Sequence, residues 1–577
     1  MARTNGHTKG FTKLPERVLK TDLHQYSNRR RTDGPYADNL DLDVLVVGAG
    51  FSGTYLLYEM RKAGYKTVLY DAGLGFGGTW RWNCYPGARV DSPVPIYQLT
   101  IPEVWNTWSF TTNYPDWREL QAYFDHVDKV CDLSKDSAFE TVVTSAEFDE
   151  SSAKWTVKTA DGRTVKTRFL IIAAGFAAKR YVPAYKGMDD FKGVIHHSSF
   201  WPTEDVDVKG KRVAVVGTGA SGVQIAQEWG PKVEKLTLFQ RTPNLALPMG
   251  KRDMTKEEQD GVRSHYDYLF NLRESTFAGF LYDFYEHNTF DDTPEEREAH
   301  FEKLWKQEGF GLWLGGYKDY LFDMKANREA YNFWAKKQRQ RIQNPKKRDV
   351  LCPLEPPHAF GIKRPCLEQN YYEVLDADNV EIVDISEKSS TQIEEFVENG
   401  IKTADGKIHE LDVVALATGF DITTGGMTSM GLKSIHGTYL KDEWKSSANT
   451  YLGTAISGYP NMFHLYGPHG PTLLSNGPSS LEIQGRWIRD AINLIERQGL
   501  KYVDPTPEAT KQWKQRINDL SNATLMPTTR STYMGGSVPG KAFEQVNYAG
   551  GVGAYREEIR TVFPDFKGFK TVSATAS

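Results

Sequence analysis

Apolar positions in this chain gather into short runs that end on glycine. Val44-Leu45-Val46-Val47 leads into Gly48, and Val213-Ala214-Val215-Val216 leads into Gly217. Apolar runs without polar alternation predict strands buried on both faces, as in a parallel sheet. Helix-compatible sequence follows, in the first case from about Ser52 to Ala63, so each run predicts a strand, a turn and a helix. Thr67–Tyr70 predicts the next strand and ends in Asp71; Lys235–Gln240 predicts its counterpart and ends in Arg241-Thr242. Alternation over Lys154–Lys158 and Val165–Ile172, split by Asp161-Gly162, predicts a β-hairpin, and Phe169–Gly175 closes this stretch.

From about Lys251 to Asp349 the pattern turns charged, aromatic and helix-periodic, which predicts a helical insertion. Its aromatics, among them Tyr266, Tyr268, Phe270, Tyr331, Phe333 and Trp334, suit a packing collar or the lining of a substrate tunnel equally well. Val380–Val383 and Leu411–Ala417 predict further strands, the second ending at Thr418-Gly419-Phe420 and read as a return to the first unit. The expected organisation is an arm over 1–40, a discontinuous first domain over 41–185 and 380–577, and a second over 186–379 carrying the insertion at about 251–349. This is an α/β fold of two Rossmann-like dinucleotide-binding domains.

The turns carry the chemistry. Gly48-Ala49-Gly50-Phe51-Ser52-Gly53 and Gly217-Thr218-Gly219-Ala220-Ser221-Gly222 both have the spacing that lets backbone approach a pyrophosphate at a helix N-terminus. Two such turns imply two dinucleotides held at once, most simply a flavin and a nicotinamide. Asp71 stands where an acid binds a ribose hydroxyl pair, which suits FAD. The second site has no acid there but Arg241, able to take a 2′-phosphate, which suits NADPH.

Composition narrows the field further. With 577 residues, 40% hydrophobic and 12% aromatic, the chain suits a large globular enzyme. A net charge of −4 gives no reason to expect nucleic acid or an anionic membrane as partner. No apolar run reaches spanning length, Phe169–Ala178 coming nearest. Cys84, Cys131, Cys352 and Cys366 are scattered without a C-x-x-C, which argues against disulfide-reductase chemistry and a zinc site, and no metal is expected. The N-terminal stretch lacks the apolar core of a secretory signal, its early Glu16 and Asp22 argue against a transit peptide, and the terminal Ala-Thr-Ala-Ser is not a peroxisomal signal. A reducing, cytoplasmic setting is the expectation.

Two longer patterns bear a family resemblance. Gly78-x-Trp80-x-x-x-x-Tyr85-Pro86-Gly87-x-x-x-Asp91 and Phe191-x-Gly193-x-x-x-His197-x-x-x-Trp201-Pro202 resemble the signatures of Baeyer–Villiger monooxygenases. The resemblance runs from about Asp43 to about Lys541, the insertion excepted. It implies a flavoprotein that uses NADPH and O2 to convert ketones, cyclic or bulky, to esters or lactones through a peroxyflavin. It assigns the catalytic cation to Arg364, held by Asp91, and gives Lys363 the NADPH phosphate. FAD would lie against Gly48, Gly50, Phe51, Ser52, Gly53, Asp71, Ala72, Gly78, Thr79, Trp80, Tyr85 and Asp91. NADPH would lie against Gly217, Thr218, Gly219, Ser221, Gly222, Arg241, Thr242 and Lys363. His197 is read as a packed residue orienting the linker.

The late part of the pattern departs from the family. Thr532 stands where a Trp is expected and Ser537 where an Asn is, with Tyr533 a partial substitute, which points to a modified pocket. Leu474, Ser475 and Asn476 are candidate lining residues. Two other readings are an N- or S-oxygenating flavin monooxygenase, against which Trp201-Pro202 and Lys363-Arg364 count, and a non-catalytic NADPH-binding flavoprotein. Oligomeric state is left open.

Overall fold

The structure, a computed structural model, describes residues 31–202, 204, 206–536 and 538–574. Most of the expected arm, the transit-peptide question and Ser537 therefore lie outside the described residues.

The first sheet is built on β1 (Leu40–Val47), whose last four residues are fully enclosed. β1 pairs in parallel with β2 (Thr67–Tyr70), Val44 opposite Thr67. β2 continues to β3 (Ser137–Ala138). On the other side, β4 (Val143–Asp149), β5 (Lys154–Thr159) and β6 (Thr164–Ile172) form an antiparallel meander, and β6 runs parallel to β1. The hairpin at Asp161-Gly162 is β5–β6, and Gly162 takes φ +88° at its turn.

The second sheet begins with β7 (Val194–His197), β8 (Arg212–Val216) and β9 (Lys235–Gln240). Beyond β9 a short strand, β10 (Leu247–Pro248), pairs in parallel with β11 (Leu367–Glu368). Between them come the helices of the insertion, over Lys256–Val262, Tyr266–Arg273, Pro294–Gln307, Met324–Arg339 and Pro345–Leu351, and then the segment with Lys363 and Arg364 that leads into β11. The Pro294 helix starts where its sequence dictates. Thr293 and Glu296 form a reciprocal capping box, with Pro at the first helical position. Because β10 and β11 are neighbours, the insertion leaves and re-enters the body at one place.

The expected boundary at 380 is corrected. β12 (Val380–Asp384) pairs with β9, and after the small antiparallel sheet β13 (Ile393–Val397), β14 (Gly400–Thr403) and β15 (Ile408–Glu410), β16 (Val413–Leu416) sits between β7 and β8. The five strands run β12-β9-β8-β16-β7, all parallel. An apolar run records that a strand is enclosed on both faces, not which sheet encloses it. The chain returns to the first sheet only later, with β17 (Leu432–Lys433) on β4 and β18 (Met462–His464) on β6.

Helix Gly477–Arg497 packs on helix Phe51–Lys62 and ties the C-terminal part to the first nucleotide unit. It also holds Glu482, fully buried and paired at 2.7 Å with the equally buried Arg273 of the insertion. Among the described residues no helix is long and apolar enough to cross a membrane.

Candidate functional site

The two glycine turns have the same geometry for the same reason. Gly48 and Gly217 take φ +117° and +110°, and a Cβ on either would sit 2.4 or 2.5 Å from a carbonyl oxygen, of Ala173 and Ala417 respectively. Gly53 and Gly222 let each helix close on its turn, where a Cβ would fall 1.7 Å from Gly48 O and 2.1 Å from Gly217 O. Helices Phe51–Lys62 and Ala220–Trp229 start at Gly50 and Gly219, and neither start has a side-chain cap. The first N–H groups of both helices are thus left to an outside anion. Gly219 faces open space, with no protein atom within 4 Å of its Cβ position.

Both turns open on one cavity of about 1220 Å³. At the first turn Asp71 closes β2, and its carboxylate accepts from Ala49 N at 2.6 Å and Gly73 N at 2.5 Å. Burial raises its pKa against those two donors. Gly78, with φ +50°, lies across Gly50, where a Cβ would come 2.6 Å from the Gly50 Cα. Thr79 and Trp80 follow it in the wall, and Trp80 Nε1 donates to Tyr97 Oη at 3.1 Å. Tyr85 crosses to the second unit, its hydroxyl donating to Gln224 Oε1 at 2.9 Å.

At the second turn the charge is positive. Thr218 Oγ1 donates to Thr242 O at 2.7 Å, which fixes the strand end that carries Arg241. Burial, and then the Arg241 charge, pull the Lys363 ammonium down to about 8. Burial and Lys363 in turn push His358 down to about 4. The acidic side chains lining the cavity are Asp71 and Asp91, one at the first turn and the other taken by Arg364. Convergent cations without a carboxylate between them make an anion site.

Arg364 lies between the two turns. Its Nε and Nη2 donate to Asp91 Oδ2 and Oδ1 at 2.7 and 2.8 Å, a bidentate chelate. Nη1 donates to Leu473 O and Ser475 O, both at 3.2 Å. Phe310 and Trp313 stack against the guanidinium at 4.9 and 5.7 Å. Burial alone lowers the arginine's pKa, but Asp91, Tyr533 and Tyr466 outweigh it and the net direction is up. The group stays charged in a half-dry site.

Of the residues named from sequence, Gly53 and Gly222 do not line the cavity; they pack helix against strand, a demand of backbone closeness rather than of ligand. Gly48, Gly50, Phe51, Ser52, Asp71, Ala72, Gly78, Thr79, Trp80, Tyr85 and Asp91 line it, as do Gly217, Thr218, Gly219, Ser221, Arg241, Thr242, Lys363 and Arg364. Thr532 and Tyr533 also line it, Thr532 exposed. Of the three candidates after Pro471, Ser475 lines the cavity but Leu474 and Asn476 do not, Asn476 instead donating to Ile96 O and Ser479 Oγ. His197 is fully buried away from the cavity, its Nδ1 accepting from Ser199 N at 3.1 Å.

The insertion aromatics divide. Tyr266 and Phe270 pack on Trp105, and Tyr331, Phe333 and Trp334 fill the core. Phe310 and Trp313, missed in the sequence, reach Arg364. Helical periodicity ranks residues by face, and these two sit in a four-residue turn, Gly311–Leu314 and its flank, too short to show a period.

Comparison with known proteins agrees with this geometry. The pyridine nucleotide-disulphide oxidoreductase family model matches residues 42–267. All four cysteines of this chain are free. The FAD-binding monooxygenase acrE of Aspergillus aculeatus is 52% identical over 556 residues, 96% of this chain and 93% of the relative. Cyclopentanone 1,2-monooxygenase of Comamonas sp. is 43% identical over 517 residues, 90% and 93% of the two chains. The crystal structure of cyclohexanone monooxygenase from Rhodococcus sp. Phi1 bound to NADP+ matches with TM-score 0.88 and 34% identity, over 93% of this chain and 100% of that one. With likeness of this depth along nearly the whole fold, the chain belongs to the Baeyer–Villiger monooxygenase family of flavoproteins.

Proposed function

We propose that this protein uses NADPH and O2 to oxygenate cyclic ketones to lactones, with Arg364 as the catalytic cation. FAD fits the uncapped turn at Gly50 in the first unit, and NADPH fits the turn at Gly219, its 2′-phosphate on Lys363 and Arg241. Bound FAD supplies the oxygen activation and NADPH the electrons. The observation that carries the reading is the Arg364–Asp91 chelate, set inside the cavity that both turns share.

This chain's residues then act on charge and position. Negative charge that develops on oxygen during attack on a carbonyl is stabilised by a fixed cation, and a preorganised one needs no rearrangement when the charge appears. Asp91 and the carbonyls of Leu473 and Ser475 fix the guanidinium in direction, while Phe310 and Trp313 cover one face and keep water off it. An arginine keeps its proton where a desolvated lysine gives it up, as the lowered Lys363 illustrates. Thr532, smaller than the tryptophan of the family pattern, leaves more room at the wall it shares with Tyr533. Four free thiols suit a reducing, cytoplasmic setting.

The test is ketone-dependent NADPH oxidation by the flavin-loaded protein, with products identified by mass spectrometry. Cyclopentanone or cyclohexanone should yield the ring-expanded lactone, and thioanisole should be a poor competitor. NADPH oxidation that gives sulfoxide but no lactone would replace the ketone reading with heteroatom oxygenation.

A further inference from the structure

The helical insertion grips the segment that carries Lys363 and Arg364. Asn327, in the first turn of helix Met324–Arg339, is 2% exposed. Its Oδ1 accepts from Phe360 N at 2.7 Å, and its Nδ2 donates to Phe360 O and to Tyr320 O, both at 2.9 Å. One side-chain amide thus takes both backbone groups of one residue, as a neighbouring strand would. The next residue, Gly361, takes φ +78° and offers its carbonyl to Trp313 Nε1 at 3.0 Å. A Cβ on Gly361 would come 2.8 Å from Trp313 Cδ1 and from Tyr320 Oη, so the backbone lies flush against both rings. Trp313 also stacks against the Arg364 guanidinium.

The amide is chemically specific to this place. An aliphatic side chain would leave the Phe360 N–H and C=O buried and unpaired, and a carboxylate would face the Phe360 oxygen. From Gly361 to Arg364 the chain can reach at most about 10 Å, so a displacement at Phe360–Gly361 passes into Lys363 and Arg364. Asp91 fixes the far end of the arginine, and Leu247 N and Asn244 hold the chain beyond it at Cys366, so the Asn327 and Trp313 contacts are the hold on the side that leads into the pair. We infer that Asn327, with Trp313, is a positioning residue that sets the Lys363–Arg364 pair against the two nucleotide sites. The inference rests on the roles given to that pair in the proposed function.

The test compares Asn327→Ala with Phe333→Leu in the full-chain, flavin-loaded protein. Phe333 lies on the same helix, is 3% exposed and packs on Phe301 at 5.3 Å, so its variant measures general loss of packing. Two readouts are taken at matched loss of melting temperature. One is the fraction of oxidised NADPH recovered as lactone rather than hydrogen peroxide, with kcat and KM for the ketone. The other needs no turnover: the Kd values of NADP+ and NAD+ by spectroscopic titration. Asn327→Ala should lower kcat about tenfold with little change in ketone KM, and raise the NADP+ Kd about tenfold with NAD+ unmoved. Phe333→Leu should change neither ratio.

Equal behaviour of the two variants in both readouts would overturn the inference. If the wild type makes no lactone, the ketone reading fails, and the NADP+ to NAD+ ratio still decides the role of Asn327. Should Asn327→Ala not fold, Trp313→Phe keeps an aromatic ring beside Arg364 and removes the donor to Gly361, its packing loss being judged against Phe333→Leu. An unchanged ratio and coupling in that variant would be equally fatal.

Discussion

Lys363 provides a pH-dependent reading of the second nucleotide site. Burial and the Arg241 charge hold its ammonium down to about 8 from the ordinary 10.5, so in the nucleotide-free protein it loses its proton through mildly alkaline pH. A 2′-phosphate seated on it favours the charged form and raises that pKa again. The NADP+ Kd should therefore be flat below about pH 7.5 and rise towards tenfold per pH unit above about pH 8. A charge-assisted bond of this kind is worth about 1.5–3 kcal/mol, so the full rise is about 10- to 100-fold before it levels off. NAD+ lacks the phosphate and should show no such slope. Calorimetric titration at about pH 8.5 in two buffers of different ionisation enthalpy should report uptake of about half to three-quarters of a proton per NADP+ bound. Lys363→Met should abolish both the slope and the uptake, and Arg241→Ala should move the break to higher pH. Stability follows the opposite sign. The depressed ammonium destabilises the nucleotide-free fold below about pH 8, and that cost fades as pH rises towards 10.5. A pH-independent ratio of NADP+ to NAD+ affinity, or proton uptake that survives in Lys363→Met, would refute the placement of the phosphate on this residue.

Other expectations follow from the same geometry. Arg364→Ala should cut lactone formation about 100- to 1,000-fold while NADPH still binds, and Arg364→Lys should recover little, since an ammonium cannot chelate Asp91 through two parallel bonds; steady-state product analysis checks both. Gly217→Ala, at φ +110° and 2.5 Å from Ala417 O, should destabilise the fold, whereas Gly219→Ala, with open space at its Cβ, should keep its melting temperature and lose NADP+ affinity. Arg273→Met should lower stability by about 3–5 kcal/mol in urea unfolding by stranding the buried Glu482, and Arg273→Met with Glu482→Leu should recover much of it.

Local rules carried much of this protein in its sequence. Val44–Val47 and Val213–Val216 had to be enclosed strands because nothing polar interrupts them, and the glycines after them had to turn because both φ angles are positive there. Asp71 against Arg241 at matching strand ends separated the two nucleotide sites by charge alone. The capping box of Thr293 and Glu296, with Pro294 at the first helical position, is a rule of the same local kind. What lay beyond local rules was who faces whom. Val380–Asp384 and Val413–Leu416 are enclosed strands in either sheet, and only the parallel ladders on β9, β8 and β7 place them in the second. Phe310, Trp313 and Asn327 carry no pattern that marks them, yet folding the insertion back between β10 and β11 sets them against Arg364 and Phe360. Strand burial, turn conformation and helix capping are decided within a few residues, whereas a cation's partners 273 residues away exist only once the chain has closed on itself.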